Sequence, residues 1–332
     1  MSTELKSLRK TTSNYFSVAP GVWGMKDVFV NFYMILNPFD GNWVLVDAGL
    51  KWSAPKIMKM AHELFGEYAK PSAVILTHGH FDHVGSLEKL VEEWNVPVYA
   101  HYLEIPYLTG KSSYPPADPS VGGGIMPLMS WAFPTAPINI WNHINVLSEE
   151  GAVPGLPEWR FLHTPGHAPG HISLYRESDG VLIAGDAFVT SNQESAIAIM
   201  FQLKKVFGPP KHFTTDWSLA RQSVKDLVKL EPEIVATGHG KPMHGSEVRR
   251  QLHHLSDNFY KVAVPSSGRY VLEPAVADAT GVLYIPENNI DKRTLTLKVL
   301  AITAIAATTF LLLSNKRSRK KKIQEALSYE VW

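Results

Sequence analysis

Three imidazoles and one carboxylate, His78, His80, Asp82 and His83, fall within six consecutive residues of this chain. They follow directly on the apolar run AVIL at 73–76. A buried strand fixes the backbone before a turn, so the turn can aim several side chains at one point. His78 and His80, two residues apart, can face one metal ion, and Asp82 and His83, further round, a second. Adjacent divalent ions suit hydrolysis, because a bridging water loses its proton near neutral pH and both ions stabilise developing negative charge.

Further ligand-type residues stand at other strand ends. His167 sits in TPGHAPGH after the run RFL, Asp186 in GDAF after VLIA, and His239 in TGHG after EIVA. Each follows an apolar run and lies beside glycine, which lets backbone approach a crowded centre. The chain has 14 histidines and no cysteine, so thiolate ligands, disulfides and a cysteine nucleophile are excluded. Any metal is held by imidazole and carboxylate. His163 and His171 flank His167 and are expected to hydrogen-bond behind it. His62, His101, His143, His212, His244, His253 and His254 have no such constellation in sequence and are expected to pack or lie on the surface.

The elements that must position these residues read as α/β. After an opening run of strands from Tyr15 to Ala48, strand and helix alternate through the first hundred residues. Ser53 is the expected N-cap of a helix with Pro55 in its first turn and Ile57, Met60, Ala61, Leu64 and Phe65 at helical spacing. SLEKLVEEW reads as helix. Asp216 is the expected cap of another over 215–230, and a last helix is expected over 246–260. Hydrophobic content of 45% and charged content of 19% are those of a globular protein, and a net charge of +1 gives the chain no general attraction to nucleic acid.

HGHFDH, with Asp47 upstream and His167, Asp186 and His239 following in that order, resembles the metallo-β-lactamase superfamily. The likeness is greatest to its glyoxalase II-like and lactonase-like branch and spans about 15–255. It implies an αββα sandwich with the site at one edge between two sheets. It also implies that His78, His80 and His167 bind one metal and that Asp82, His83 and His239 bind a second, with Asp186 bridging. Asp47 is then expected to hydrogen-bond the metal-bearing turn. Two divalent ions, most simply zinc, are the implied cofactors. The branch of β-lactamases with a cysteine ligand is excluded. The redox di-iron flavoproteins, which usually carry glutamate where this chain has His80, fit poorly.

In the implied mechanism the metal-bridging hydroxide attacks a carbonyl carbon, and Asp82 takes up or returns a proton as the intermediate collapses. The segment 101–151, rich in proline, glycine and aromatic residues, reads as a lid or insertion. Tyr107, Tyr114, Met126, Trp131 and Phe133 are its candidate substrate contacts. Alternatively, these side chains only bury the loop. A small-molecule lactone or ester with an apolar portion is the first substrate class, ahead of thioesters and β-lactams. A phosphodiesterase and a mononuclear iron sulfur dioxygenase are readings of a different kind.

By composition the chain divides into an N-terminal tail (1–14), a catalytic domain (15–260), a linker (261–294), and a hydrophobic helix with a basic tail (295–332). The first residues are basic but lead into no apolar run, so a cytoplasmic address is expected. Residues 299–313 are apolar or threonine, fewer than the roughly 20 that cross a bilayer comfortably. The run KRSRKKK that follows suits anionic headgroups, so association with a membrane surface is expected.

Overall fold

The computed structural model describes residues 15–122, 124–193 and 204–288. Its first sheet takes the strands β1 (Tyr15–Ala19), β2 (Val22–Asp27), β3 (Val30–Leu36), β4 (Trp43–Val46), β5 (Ala73–Ile75), β6 (Val98–Ala100) and β7 (Ile144–Val146), in that spatial order. The first four form an antiparallel meander, and β4 through β7 are parallel. Parallel neighbours need crossovers, which here include the helix α1 (Ala54–Phe65) and the pair α2 (Phe81–Val84) and α3 (Leu87–Trp94). The second sheet runs β13 (Met243–His244), β12 (Ile234–Ala236), β11 (Val181–Ile183), β10 (Ile172–Arg176), β9 (Leu156–His163), β8 (Ala152–Val153).

Side-chain alternation along the strands builds the layers. On β3, Phe32 and Met34 pack outward with Ile57 and Met60 of α1 and Leu90 and Val91 of α3. Tyr33 and Ile35, on the other face, join Val44, Val46, Ile172, Leu174 and Ile183 between the two sheets. Beyond the second sheet, Leu182 and Val235 pack against the helices that follow α4 (Ile105–Leu108) and α5 (Ile125–Met129) in the chain. These are α6 (Trp217–Val228) and α7 (Gly245–Asp257), which contribute Val224, Leu227, Val248 and Leu252. Three apolar layers between four structural ones make the αββα sandwich. Both faces of each sheet are covered, which is why the central strands read as continuous apolar runs.

The structure departs from the sequence reading in three places. Ser53 makes no capping bond to α1. Its hydroxyl instead accepts from Leu50 N and donates to the Asp27 carboxylate. Asp216 does cap α6, accepting from Leu219 N at 2.8 Å. The stretch 101–151 is not one irregular lid, since its far end supplies β7, paired in parallel with β6. A three-residue strand with two exposed positions carries no alternation for sequence to detect.

Residues 261–288 are not a plain linker either. After α8 (Phe259–Val262) come α9 (Arg269–Leu272) and the hairpin of β14 (Val276–Asp278) and β15 (Gly281–Tyr284). Tyr270 is buried and its hydroxyl donates to Pro116 O at 2.6 Å, while Ala275 N donates to Thr215 O and Val282 N to Ser112 Oγ. The compact unit extends to Glu287. A chain ended after Glu287 is therefore expected to keep the full-length unfolding temperature. Ending it after Val262 exposes the surfaces under Tyr270 and the hairpin, at a cost on the order of 3–5 kcal/mol. Equal melting of the two shortened chains would refute this. The hydrophobic helix and basic tail of the sequence reading lie outside the described residues, and among those described no helix is long and apolar enough to cross a membrane.

Candidate metal centre

The ligand-type residues gather where strands end. The β5 strand delivers Thr77, His78 and His80, and the short α2 carries Asp82 and His83. The loop after β9 brings His167, the turn after β11 Asp186, and the turn after β12 His239. All are buried. Their donor atoms form three sets, each within 4.8 Å: His78, His80 and His167; His78, His83 and Asp186; Asp82, His83 and His239. Asp186 is central, its Oδ2 lying 3.0 Å from His239 Nε2, 3.5 Å from His167 Nε2 and 3.7 Å from His83 Nε2. Asp82 Oδ2 lies 3.5 Å from His239 Nε2 and 3.9 Å from His83 Nε2.

Surrounding groups fix the imidazole tautomers. His83 Nδ1 donates to Asp47 Oδ2 at 2.8 Å, and His239 Nδ1 to Phe29 O at 2.9 Å. Thr77 Oγ1 donates to Asp47 Oδ2, so its oxygen is left to accept from His78 Nδ1 at 3.0 Å. Thr214 Oγ1 donates to Pro210 O and in the same way receives His167 Nδ1 at 3.3 Å. With Nδ1 so engaged, the Nε2 atoms of His78, His83, His167 and His239 are the candidate ligand atoms. His78 Nε2, His83 Nε2 and Asp186 Oδ1 are fully buried and have no hydrogen-bond partner. Three orphaned donor atoms in one buried cluster, with His80 Nδ1 only 3.0 Å from His167 Nε2, are what a cation site requires.

The electrostatics agree. Burial and crowding by neighbouring imidazoles hold His78 and His167 well below the usual histidine range and His80 at about 3, so these three are neutral. Burial opposes charge on His83 as well, yet the carboxylates of Asp47, Asp82 and Asp186 overcome it and raise that imidazole. Asp186 and Asp82 raise His239 in the same way. For Asp186, burial is outweighed by His239 and His83, and its carboxyl stays well below the usual range. Asp82 is raised by burial, which those two histidines only partly offset. Protons thus balance the carboxylates where a metal ion would, and the residues fit divalent cations.

Asp47 acts from behind the cluster. Besides His83 it receives Thr77 N at 2.8 Å, and it adopts φ 62, a conformation that costs a non-glycine residue about 1–3 kcal/mol. The bonds to Thr77 and His83 over-determine it. Gly238 is needed for space, since a Cβ there would sit 2.1 Å from Asp186 Oδ1. His171 is structural, its Nε2 accepting from Asp186 N, and His163 stacks on His101.

Of the five candidate lid contacts, Met126 and Phe133 line the pocket over the cluster. Trp131 is exposed elsewhere, and Tyr107 and Tyr114 are buried against each other, with Tyr114 packed on the back of His80. For those two tyrosines, burying the loop is the role the structure gives. The pocket also takes Phe29, Phe81, Phe213 and His212, residues that sequence did not single out for it. Glu104 was missed too. It accepts Gly79 N at 2.8 Å and the Tyr114 hydroxyl on one oxygen, and Gly170 N at 2.7 Å on the other. No local pattern marks a carboxylate that works through backbone amides of two distant loops.

The family model described as the metallo-beta-lactamase superfamily matches residues 25–239. The chain is 44% identical over 248 residues to the probable metallo-hydrolase YflN of Bacillus subtilis, covering 74% of this chain and 94% of that one. It is 28% identical to the probable metallo-hydrolase YybB of the same organism, over 59% of this chain and 75% of the relative. A beta-lactamase domain protein from Burkholderia ambifaria superposes with a TM-score of 0.51 at 22% identity, covering 76% of this chain and 79% of that one, a likeness of fold.

Proposed function

The chain belongs to the metallo-β-lactamase superfamily, and on that premise we propose that it is a dinuclear metal-dependent hydrolase of carbonyl bonds. The observation that carries the reading is the convergence of buried donor atoms in three overlapping sets, each within 4.8 Å. His78, His80 and His167 would hold one divalent ion and Asp82, His83 and His239 a second, with Asp186 serving both. Zinc is the simplest occupant of a nitrogen and carboxylate set without sulfur. When bound, such a pair supplies Lewis acidity and a water acidified to near-neutral pH. The chain's own residues do the remaining work. Asp47 holds the imidazole of His83 in its ligating tautomer, and Asp82 takes up and returns a proton at its carboxylate.

The wall above the cluster supports the substrate class. Phe81, Phe133 and Phe213 lie with ring centroids 5.6 to 6.1 Å apart, and Phe213 lies 4.8 Å from His80. Phe29 and Met126 extend the apolar lining, and no lysine or arginine is among the described residues that form it. Such a wall favours an ester or lactone with an apolar portion over a phosphodiester, whose charge would have to be desolvated there.

Zinc-loaded full-length protein is expected to contain about two ions per chain. It should turn over γ-nonalactone and phenyl acetate faster than an S-acylglutathione, a cephalosporin or bis(p-nitrophenyl) phosphate. A single tightly held iron would overturn the dinuclear reading, and turnover confined to the phosphodiester would overturn the substrate class. Residues 295–322 are proposed to meet an anionic membrane surface. Vesicles rich in phosphatidylserine should sediment the full chain and leave behind the chain ended after Glu287.

A further inference from the structure

The metal ligands do not account for every polar group in the pocket. His212 lines it too, 6% exposed, with its ring 4.9 Å from Phe213 and 5.8 Å from Phe133. Its Nδ1 is fully buried and has no hydrogen-bond partner. An unpaired buried nitrogen is destabilising, and beside Phe133 and Phe213 an aromatic residue without it would pack as well.

The imidazole is also held in register with the metal centre. Pro210 O accepts Phe213 N, Thr214 N and Thr214 Oγ1, and that same hydroxyl receives His167 Nδ1. Gly166 O, next to His167, accepts Thr215 N and Asp216 N, and His212 O accepts Asp118 N at 2.8 Å. The turn that carries His212 is thus stitched to the loop that carries His167. Burial, with a smaller push from His239, keeps the imidazole neutral, at about 3. It offers a hydrogen bond without a charge.

We propose that His212 is a substrate-binding residue, its Nδ1–H donating to an oxygen of a neutral ester or lactone whose apolar portion lies on Phe133 and Phe213. The assignment rests on the hydrolase reading for its substrate class. A neutral donor in an apolar wall selects an uncharged acceptor, and an acyl oxygen is the acceptor that such substrates bring.

The test compares the zinc-loaded wild type with His212→Phe and His212→Gln. Phenyl acetate and γ-nonalactone serve as substrates, and the γ-lactam of the same alkyl chain serves as an unhydrolysed binding probe. Losing the donor should lower kcat/KM, mainly through KM, and weaken lactam binding by about ten- to a hundredfold in His212→Phe. Zinc content should stay unchanged and the melting temperature should not fall, and His212→Gln should recover part of the loss. In the wild type, the lactam should shift the imidazole 15N resonances of His212. Lactam binding that depends on His212, without hydrolysis of either substrate, would overturn the hydrolase reading and leave the binding role standing. Unchanged kcat/KM and lactam affinity in His212→Phe would overturn the proposal. So would a loss of zinc or of melting temperature in both variants, because either assigns His212 to the scaffold.

Discussion

Asp82→Asn is expected to lower kcat on the order of 10²- to 10⁴-fold while the protein stays folded and keeps the ion held by His78, His80 and His167. The substitution is isosteric, so the buried turn over α2 need not move. The chemistry, however, changes in two ways. The amide is a poorer ligand beside His83 and His239, whose Nε2 atoms lie 3.9 and 3.5 Å from the Asp82 carboxylate. It also cannot take up a proton as a carboxylate can. Metal content should fall from about two ions towards one, with KM changing less than kcat. Steady-state kinetics alongside elemental analysis measures both. Turnover within about threefold of wild type would remove Asp82 from the ligand set and from proton transfer together, given the size expected of either role.

Glu104→Ala is expected to destabilise the fold by about 3–5 kcal/mol and to weaken metal binding about 10- to 100-fold, although Glu104 is not among the proposed ligands. Gly79 lies between His78 and His80, and Gly170 lies beside His171, three residues beyond His167. Their amides meet on the two oxygens of this one carboxylate, together with the Tyr114 hydroxyl. Tyr114 in turn backs the His80 ring at 4.4 Å. Removing the carboxylate leaves Gly170 N and the Tyr114 hydroxyl without their acceptor and Gly79 N with the Tyr114 oxygen alone, at 2.9 Å, and it frees the two loops from each other. The side chain is fully buried, and burial pushes its carboxyl up to about 7 even though all three hydrogen bonds pull it down. Glu104→Gln should recover only part of the loss, because its amide offers one oxygen where the two backbone N–H groups need one each. Urea unfolding and competition with a zinc chelator measure the two effects. A stability within about 1 kcal/mol of wild type, with unchanged zinc affinity, would show that the two loops hold their positions without it.

Sequence by itself determined which donor residues meet in one cluster and that the chain is α/β. His78, His80, Asp82 and His83 are close in sequence, and His167, Asp186 and His239 each follow an apolar run that has to be a buried strand. Strand ends point their next residues to one edge, so residue type and position were enough. The sandwich came from the family resemblance, and it accounts for strands such as VNFYMIL, which are apolar on both faces because both faces are covered. The bonds of Asp47 to Thr77 and His83 were what the family resemblance implied for it.

Only the tertiary structure decided what stands around and behind those ligands. Glu104, Thr77 and Thr214 act through hydrogen bonds to residues far away in sequence or through a neighbouring backbone, and nothing local to them signals it. The pocket wall mixes Phe29 from before β3, Phe81 from α2, Phe133 from the insertion and Phe213 from the turn before α6. Composition pointed to the insertion for this wall, and two of its tyrosines went instead to the packing behind His80. Aromatic residues bury their area against whatever surface lies nearest, and which surface that is depends on chain crossings that no short window of sequence contains. The same holds for residues 261–287, whose short helices and hairpin owe their order to Pro116, Ser112 and Thr215 rather than to any periodicity of their own.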